Sequence, residues 1–267
     1  MSESYVHGYA GRESERLHDQ ATALLDLLHV GTMYPPGSRV LEVGCGVGSQ
    51  TVTLALRSPG ARFTSIDISA ESLGRARRRT AAAGISNVEF RQADVFALAG
   101  EAGSFDHAFV CFVLEHLPDP AAALRLLQTL LQPGGTVTVI EGDHGSAFFE
   151  PDSPAAQAVI ACLVELQRRA GGSALLGRRL YPLLKAAGFR SAQVSPLCVY
   201  VDGSRPDLAD AITVRTFTAM IEGVRGQAVA AGLLTPEAFD AGIAALHRTA
   251  DVDGVFCYTF FKATGCA

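Results

Sequence analysis

Arg39 to Thr51 reads RVLEVGCGVGSQT: an apolar run, then Gly44, Gly46 and Gly48 at every second position, then small polar residues. An apolar strand that enters a glycine turn and leaves as a helix brings backbone N–H groups to a helix start. It also removes the side chains that would hold a ligand away. Open parallel α/β sheets bind their ligands at this place, outside the carboxyl ends of the strands. The residues narrow the ligand further. A triphosphate loop needs a Lys and a Ser or Thr after its last glycine, and here Ser49 and Gln50 follow Gly48. A nicotinamide loop wants G-x-G-x-x-G, whose third glycine position is occupied by Ser49. That mismatch is small, so the loop alone leaves open a dinucleotide or another adenosine-bearing cofactor.

The rest of the chain supplies the sheet. Short apolar runs at Val40–Val43, Arg62–Asp67, Val88–Gln92, His107–Phe112 and Thr136–Glu141 read as strands. Helical patterns at Gln50–Arg57, Ala70–Ala83 and Ala121–Leu131 separate them, with Gly84 and the QPGG run, residues 132–135, as stops. Strands alternating with helices imply βαβ units and a parallel sheet covered on both faces. A helix of about Arg12 to His29 precedes the first strand, with Leu17, Ala21, Leu24 and Leu28 on one face and Gln20 among them. After the fifth strand come helices at Pro154–Ala170, Leu175–Ala187, Pro206–Ala231 and Pro236–Thr249, with strands at Ala192–Val201 and Gly254–Lys262. No repeat or low-complexity linker divides the chain.

Further residues join the glycines at the ends of the second, third and fourth strands. Asp67 closes the second strand about twenty residues past the glycines, where a carboxylate accepts from ribose hydroxyls. Asp94, with Val95 beside it, follows the third strand and suits an adenine amino group. FVCFVLEHLPDP, with Cys111, Glu115 and His116, follows the fourth.

VLEVGCGVGSQT, SIDIS, QADVF, VCFVLEHLPDP and LLQPGGTVTVIE together resemble the successive motifs of class I S-adenosylmethionine-dependent methyltransferases, from Val40 to Glu141 in order and spacing. The resemblance implies a Rossmann-like, doubly wound α/β sheet of seven strands with the last antiparallel, plus helical cap insertions. It implies one methyltransferase domain over 1–267: a lid and helix over 1–37, a cofactor core over 38–141, and cap helices with a C-terminal hairpin over 142–267. Its cofactor would be S-adenosylmethionine, with S-adenosylhomocysteine as product. Gly44, Gly46 and Gly48 would admit the methionine part, and Glu42 would meet its amino group. Asp67 and Ile68 would hold the ribose side, Asp94 and Val95 the adenine, with Cys111, Tyr9 and Gln20 completing the site. Tyr5 and Tyr9 lie in a segment that similar enzymes fold over the cofactor.

Methyl transfer from a sulfonium needs in-line positioning, exclusion of water and, for some acceptors, removal of a proton. Glu115 and His116 after strand four, and Asp143 and His144 after strand five, are the candidates for that proton. Asp143 and His144 make too thin a ligand set for a metal. CFVLEHL stands where enzymes of base and amide nitrogens carry an N/D-P-P-Y tetrapeptide, which points to a small-molecule acceptor. The YVHGY opening and EGDHGS after strand five narrow the resemblance to bacterial enzymes of specialised metabolism and an aromatic acceptor, an indole methylated on carbon, with O- or N-methylation of a phenol or amine as the alternative. Phe148 and Phe149 would line an apolar pocket. The helix from Pro206, with Leu208, Ile212, Phe217, Ile221, Val224 and Ala228 on one face, would roof it or join two copies as a homodimer.

A net charge of -5 argues against a nucleic-acid partner. The one basic cluster, Arg75 to Arg79, reads as a solvated helix face. Six cysteines without a C-x-x-C pair read as free thiols. No apolar run is long enough to span a bilayer, and the opening residues lack the pattern of a secretory signal, so the sequence reads as cytoplasmic.

Overall fold

The computed structural model describes residues 24, 26–98 and 100–267. The expectations for Tyr5, Tyr9, Gln20 and most of the first helix therefore lie outside the described residues. Leu24 and Leu28, at its end, are both buried. The chain forms two compact units.

One unit comprises Asp26–Glu141, Leu176–Pro196 and Phe261–Ala267. Its strands are β1 (Arg39–Val43), β2 (Arg62–Asp67), β3 (Val88–Gln92), β4 (Phe105–Cys111) and β5 (Leu131–Gly142). They are joined in parallel in the order β3-β2-β1-β4-β5. The registers Val43↔Ile66 and Val43↔Val110 bring the carboxyl ends of β1, β2 and β4 level. Later in the chain β7 (Arg190–Asp202) pairs with β8 (Val255–Cys266), which follows β5 in the sheet. The β1 residues Val40 to Val43 are buried without alternation, as a central parallel strand requires. Leu41, Val110, Val137 and Val139 pack on that sheet with Leu124 and Leu127 of the Pro120–Leu130 helix and Leu180 and Leu184 of the Leu180–Ala186 helix.

The helices start where the sequence places their caps. The Ser69 hydroxyl accepts from Ser72 N, and Asp119 from Ala122 N with Pro120 in the first turn. Ser153–Pro154 and Thr235–Pro236 repeat the same cap-and-proline start. Gly84, at φ 68, ends the Ala70–Ala82 helix, its N–H on Ala81 O and that of Ile85 on Thr80 O.

The other unit contains Gly142–Leu175 and Leu197–Phe260. Its Pro154–Arg169 and Pro236–Arg248 helices touch at Gly242, where a Cβ would stand 2.6 Å from Ala155 O, so only glycine permits the approach. A short strand the sequence reading lacks, β6 (Phe148–Glu150), pairs antiparallel with the start of β8, Phe149 opposite Phe256. Phe149 is buried there, whereas Phe148 is exposed.

The expected single helix over 206–231 is broken into pieces. Pro206–Ala209 runs into a π-helical stretch, Asp210–Thr218, and then Ala219–Glu222. Gly223 and Val224 interrupt it before Arg225–Ala230. Ile212, Phe217, Ile221, Val224 and Ala228 are buried as that face requires. The five-residue step from Ile212 to Phe217 overshoots an α-turn; the wider π-turn brings it back to one side. The Thr216 hydroxyl, donating to Ala211 O five residues back, follows the same geometry.

Among the described residues no helix is long and apolar enough to cross a membrane.

Candidate functional site: a glycine cradle and an acid–histidine pair

The three glycines serve two purposes. Gly44, Gly46 and Gly48 have φ of 68, 51 and 79, all in the left-handed region that disfavours side chains. A Cβ on Gly44 would strike the Val113 side chain, and one on Gly48 would lie 2.9 Å from Cα of Ala76. Those two glycines let the loop close on its own protein. Gly46 alone has open space where its side chain would be, and this is where a ligand can approach the backbone.

The loop is held from both sides. Asp67 Oδ2 accepts from Gly46 N at 2.8 Å, and Oδ1 from Ser69 N at 2.8 Å. Burial raises the Asp67 pKa, and the backbone donors oppose the shift. Its carboxylate therefore shapes the cradle as well as offering free lone pairs to it. From the opposite side Arg79 Nη1 donates to Val47 O at 3.1 Å and to Ser49 Oγ at 2.6 Å. This corrects the reading of the basic cluster as one solvated face. Arg75 does make an exposed pair with Glu71, but Arg79 is half-buried against the loop. Spacing along the helix could not reveal this, because the partner lies 32 residues away.

Glu42 sits below the loop on β1, 2% exposed. Its Oε2 accepts from Thr51 Oγ1 at 2.8 Å and Ser65 Oγ at 2.6 Å. Burial pushes its pKa up to about 7, against those two hydroxyl donors, and Asp67 adds to the rise. A carboxyl so poised takes an ammonium group readily, because the cation would restore its charged form. Asp94 is exposed and accepts from Phe96 N at 3.0 Å, so it caps the short 3₁₀ turn Val95–Leu98. Val95 is buried, and Ile68, next to Asp67, is 51% exposed. Cys111 and Cys45 are buried and their thiols are pushed far up by desolvation, so neither is a thiolate.

At the end of β4 the chain turns sharply. Phe112 has φ 56, and a 3₁₀ turn, Leu114–His116, follows. Glu115 is buried, and its Oε1 lies 3.5 Å from His116 Nε2. Val113, which fills the space beside Gly44, connects this turn to the glycine cradle. Glu42, Asp67, the glycines, Glu115 and His116 thus belong to one unit.

Asp143 and His144 belong to the other. Asp143 Oδ1 accepts from Gly145 N and caps a 3₁₀ turn, while His144 Nδ1 shares a 2.7 Å hydrogen bond with Tyr258 OH. Phe217 faces both rings, with centroids 6.1 Å from His144 and 5.4 Å from Tyr258. Tyr258 was not singled out by sequence; it lies 114 residues from His144 in an apolar strand. A second missed residue is His29, fully buried, stacked on Phe109 at 5.7 Å and bonded through Nε2 to Gln50 Oε1 at 2.5 Å. Among the described residues no group of three or more His, Cys, Asp or Glu could hold a metal ion.

A parallel sheet with a glycine cradle, an aspartate at the end of the next strand and no phosphate-binding lysine after the glycines suits an adenosine-bearing cofactor, and the comparisons with known proteins identify a class I S-adenosylmethionine-dependent methyltransferase domain. The family described as "Methyltransferase domain" matches residues 35–188, and the chain belongs to it. S-adenosylmethionine is that family's cofactor. Among curated relatives, an uncharacterized 37.1 kDa protein in transposon Tn4556 of Streptomyces fradiae is 35% identical over 207 residues, 76% of this chain and 57% of that protein. The ubiquinone biosynthesis O-methyltransferase of Azotobacter vinelandii is 38% identical over 138 residues, 51% of this chain and 58% of its own length. The matches thus span less than three-fifths of these relatives. Among solved structures, Haemonchus contortus phosphoethanolamine N-methyltransferase 2, in complex with phosphomonomethylethanolamine and S-adenosylhomocysteine, shares the fold at TM-score 0.56 and 17% identity, covering 93% of this chain and 52% of that one.

Proposed function

We propose that this chain transfers a methyl group from S-adenosylmethionine to a small aromatic acceptor bearing an acidic O–H or N–H: a phenol oxygen, or an indole carbon activated through the ring N–H. The cofactor supplies a methyl group on a sulfonium that is already a good leaving group. The protein's part is to bind, to align and to move one proton. Glu42 takes the ammonium of the methionine end. Asp67 accepts from the ribose hydroxyls on the lone pairs that Gly46 and Ser69 leave free. Asp94 and the Val95 N–H meet the adenine edge, with Ile68 beside the ribose and Cys111 under the cradle.

The observation that carries this reading is the Glu115–His116 pair at the end of β4, Glu115 buried and His116 partly exposed, joined to the cradle through Val113. An imidazole next to a carboxylate is suited to remove an acceptor proton as the methyl bond forms, because the carboxylate stabilises the imidazolium. The likeness to a ubiquinone biosynthesis O-methyltransferase over half of the chain supports an oxygen acceptor.

The test is a panel of catechol, indole and a primary amine incubated with methyl-deuterated S-adenosylmethionine and read by mass spectrometry. Label should reach catechol or indole and not the amine. His116→Ala should slow transfer about a hundredfold, the usual worth of a general base. Binding of S-adenosylhomocysteine without transfer to any acceptor would instead mark a noncatalytic binder of the cofactor.

A further inference from the structure

Glu141 is the last residue but one of β5 and is fully buried. Its Oε1 accepts from Val113 N at 3.1 Å and from Leu114 N at 2.8 Å. These donors belong to the turn that carries Glu115 and His116. Oε2 is buried and has no partner. An ionised carboxylate with one bare oxygen in such a place carries a large desolvation cost. The neighbouring Glu115 carboxylate opposes a second negative charge, and burial together with that neighbour raises the Glu141 pKa well above the usual carboxylate range. The carbonyl oxygen of a neutral carboxyl can accept from both Val113 N and Leu114 N, and a neutral O–H on the Oε2 side costs less to leave bare than a charged oxygen.

The turn needs such a tie. Phe112 holds a left-handed φ of 56, a conformation that crowds a residue with a side chain. Its own N–H continues the ladder to Ile140 O at 2.9 Å. Immediately afterwards the chain leaves the sheet, and the first two N–H groups beyond it are those taken by Glu141. Without that acceptor a buried donor, Leu114 N, and a part-buried one, Val113 N, would be orphaned, and the turn would be free to relax toward an ordinary backbone conformation.

We infer that Glu141 is a positioning residue for the reaction: a neutral carboxyl that clamps the Val113–Leu114 backbone and so presents Glu115 and His116 in working geometry. This rests on the methyl-transfer reading for the role of Glu115 and His116. The clamp itself is a matter of the fold and can be tested without an acceptor.

The test compares Glu141→Gln with Glu141→Ala in the full chain. Gln keeps a neutral carbonyl acceptor in the same place; Ala removes it. Infrared difference spectra at pH 7 should show the C=O band of a protonated carboxyl in the wild type that is absent from Glu141→Gln. Amide hydrogen exchange at Val113 and Leu114 should stay protected in Glu141→Gln and quicken in Glu141→Ala. With the acceptor found in the panel, Glu141→Ala should lose about a hundredfold in kcat with KM for S-adenosylmethionine within about threefold, whereas Glu141→Gln keeps roughly a third or more of kcat. No lost carboxyl band in Glu141→Gln, or two variants equally impaired, would show that Glu141 works as an ion and overturn the inference. If Glu141→Ala does not fold, the band and the exchange in Glu141→Gln still decide. A wild type that methylates nothing, with band and exchange as expected, would count against the proposed reaction and leave the clamp standing.

Discussion

At Asp67, Oδ2 holds the Gly46 N–H and Oδ1 the Ser69 N–H before any ligand is considered. Asp67→Ala therefore removes a loop anchor together with the ribose acceptor. Leaving polar groups unpaired costs about 1–3 kcal/mol each, so affinity for S-adenosylhomocysteine should fall at least about tenfold in calorimetry. Unchanged affinity would remove Asp67 from the site. The glycines separate the same way. Gly44→Ala drives a methyl into the Val113 side chain and should lower the melting temperature by several degrees, since about 1 kcal/mol is worth a few degrees in a chain of this size. Gly46→Ala meets only open space and its φ of 51, so it should cost less stability and more affinity. Equal melting temperatures for the two variants would contradict this division of labour.

The elements that hold these residues were largely legible in the sequence. β2 falls where its apolar run places it, Arg62–Asp67, because a buried parallel strand has to be apolar and short; β3, Val88–Gln92, falls where expected too, as a partly exposed edge strand paired only with β2. The cap-and-proline pairs announce three helices. Legibility fails where a residue acts across the fold. Arg79 lies on a helix face that reads as solvated, yet it reaches the carbonyl of Val47. Glu141 reads as the end of a strand, and its clamp on Val113 spans 28 residues. The π-helical stretch was written in the five-residue step from Ile212 to Phe217, but a helical face judged only as broad hides a single wide turn. At this scale the arginine gives a prediction. Arg79→Met keeps the packed stem and drops two hydrogen bonds from a half-buried donor to the loop. Each such bond to a charged group is worth about 1.5–3 kcal/mol. Amide exchange in residues 44–49 should quicken, and affinity for S-adenosylhomocysteine should fall about threefold to tenfold. Exchange unchanged in that segment would mean that the loop holds itself.

Across the whole molecule, two buried groups pull stability in opposite directions with pH. The His29 pKa is lowered to about 4, first by burial, so the unfolded chain binds the extra proton between that value and the ordinary 6.5. Its contribution is present above about pH 6.5 and lost as pH falls toward 4. Glu42, raised to about 7 from an ordinary 4.5, does the reverse: the folded chain holds the proton, and stability is lost as pH rises from about 4.5 through 7. Each swing is up to about 3 kcal/mol, and the windows overlap from roughly pH 4.5 to 6.5, so the two contributions offset each other there. Denaturant unfolding of each variant against the wild type isolates its group. His29→Gln should be most disadvantaged near neutral pH and recover relative to the wild type as the solution is acidified. Glu42→Gln should gain on the wild type as pH rises through 7. S-adenosylhomocysteine should reverse the second trend, because an ammonium beside Glu42 favours its ionised form and affinity should climb through the same range. Affinity that is flat with pH in the wild type, and unaltered in Glu42→Gln, would separate Glu42 from the ammonium and leave it as a partner of Thr51 and Ser65 only.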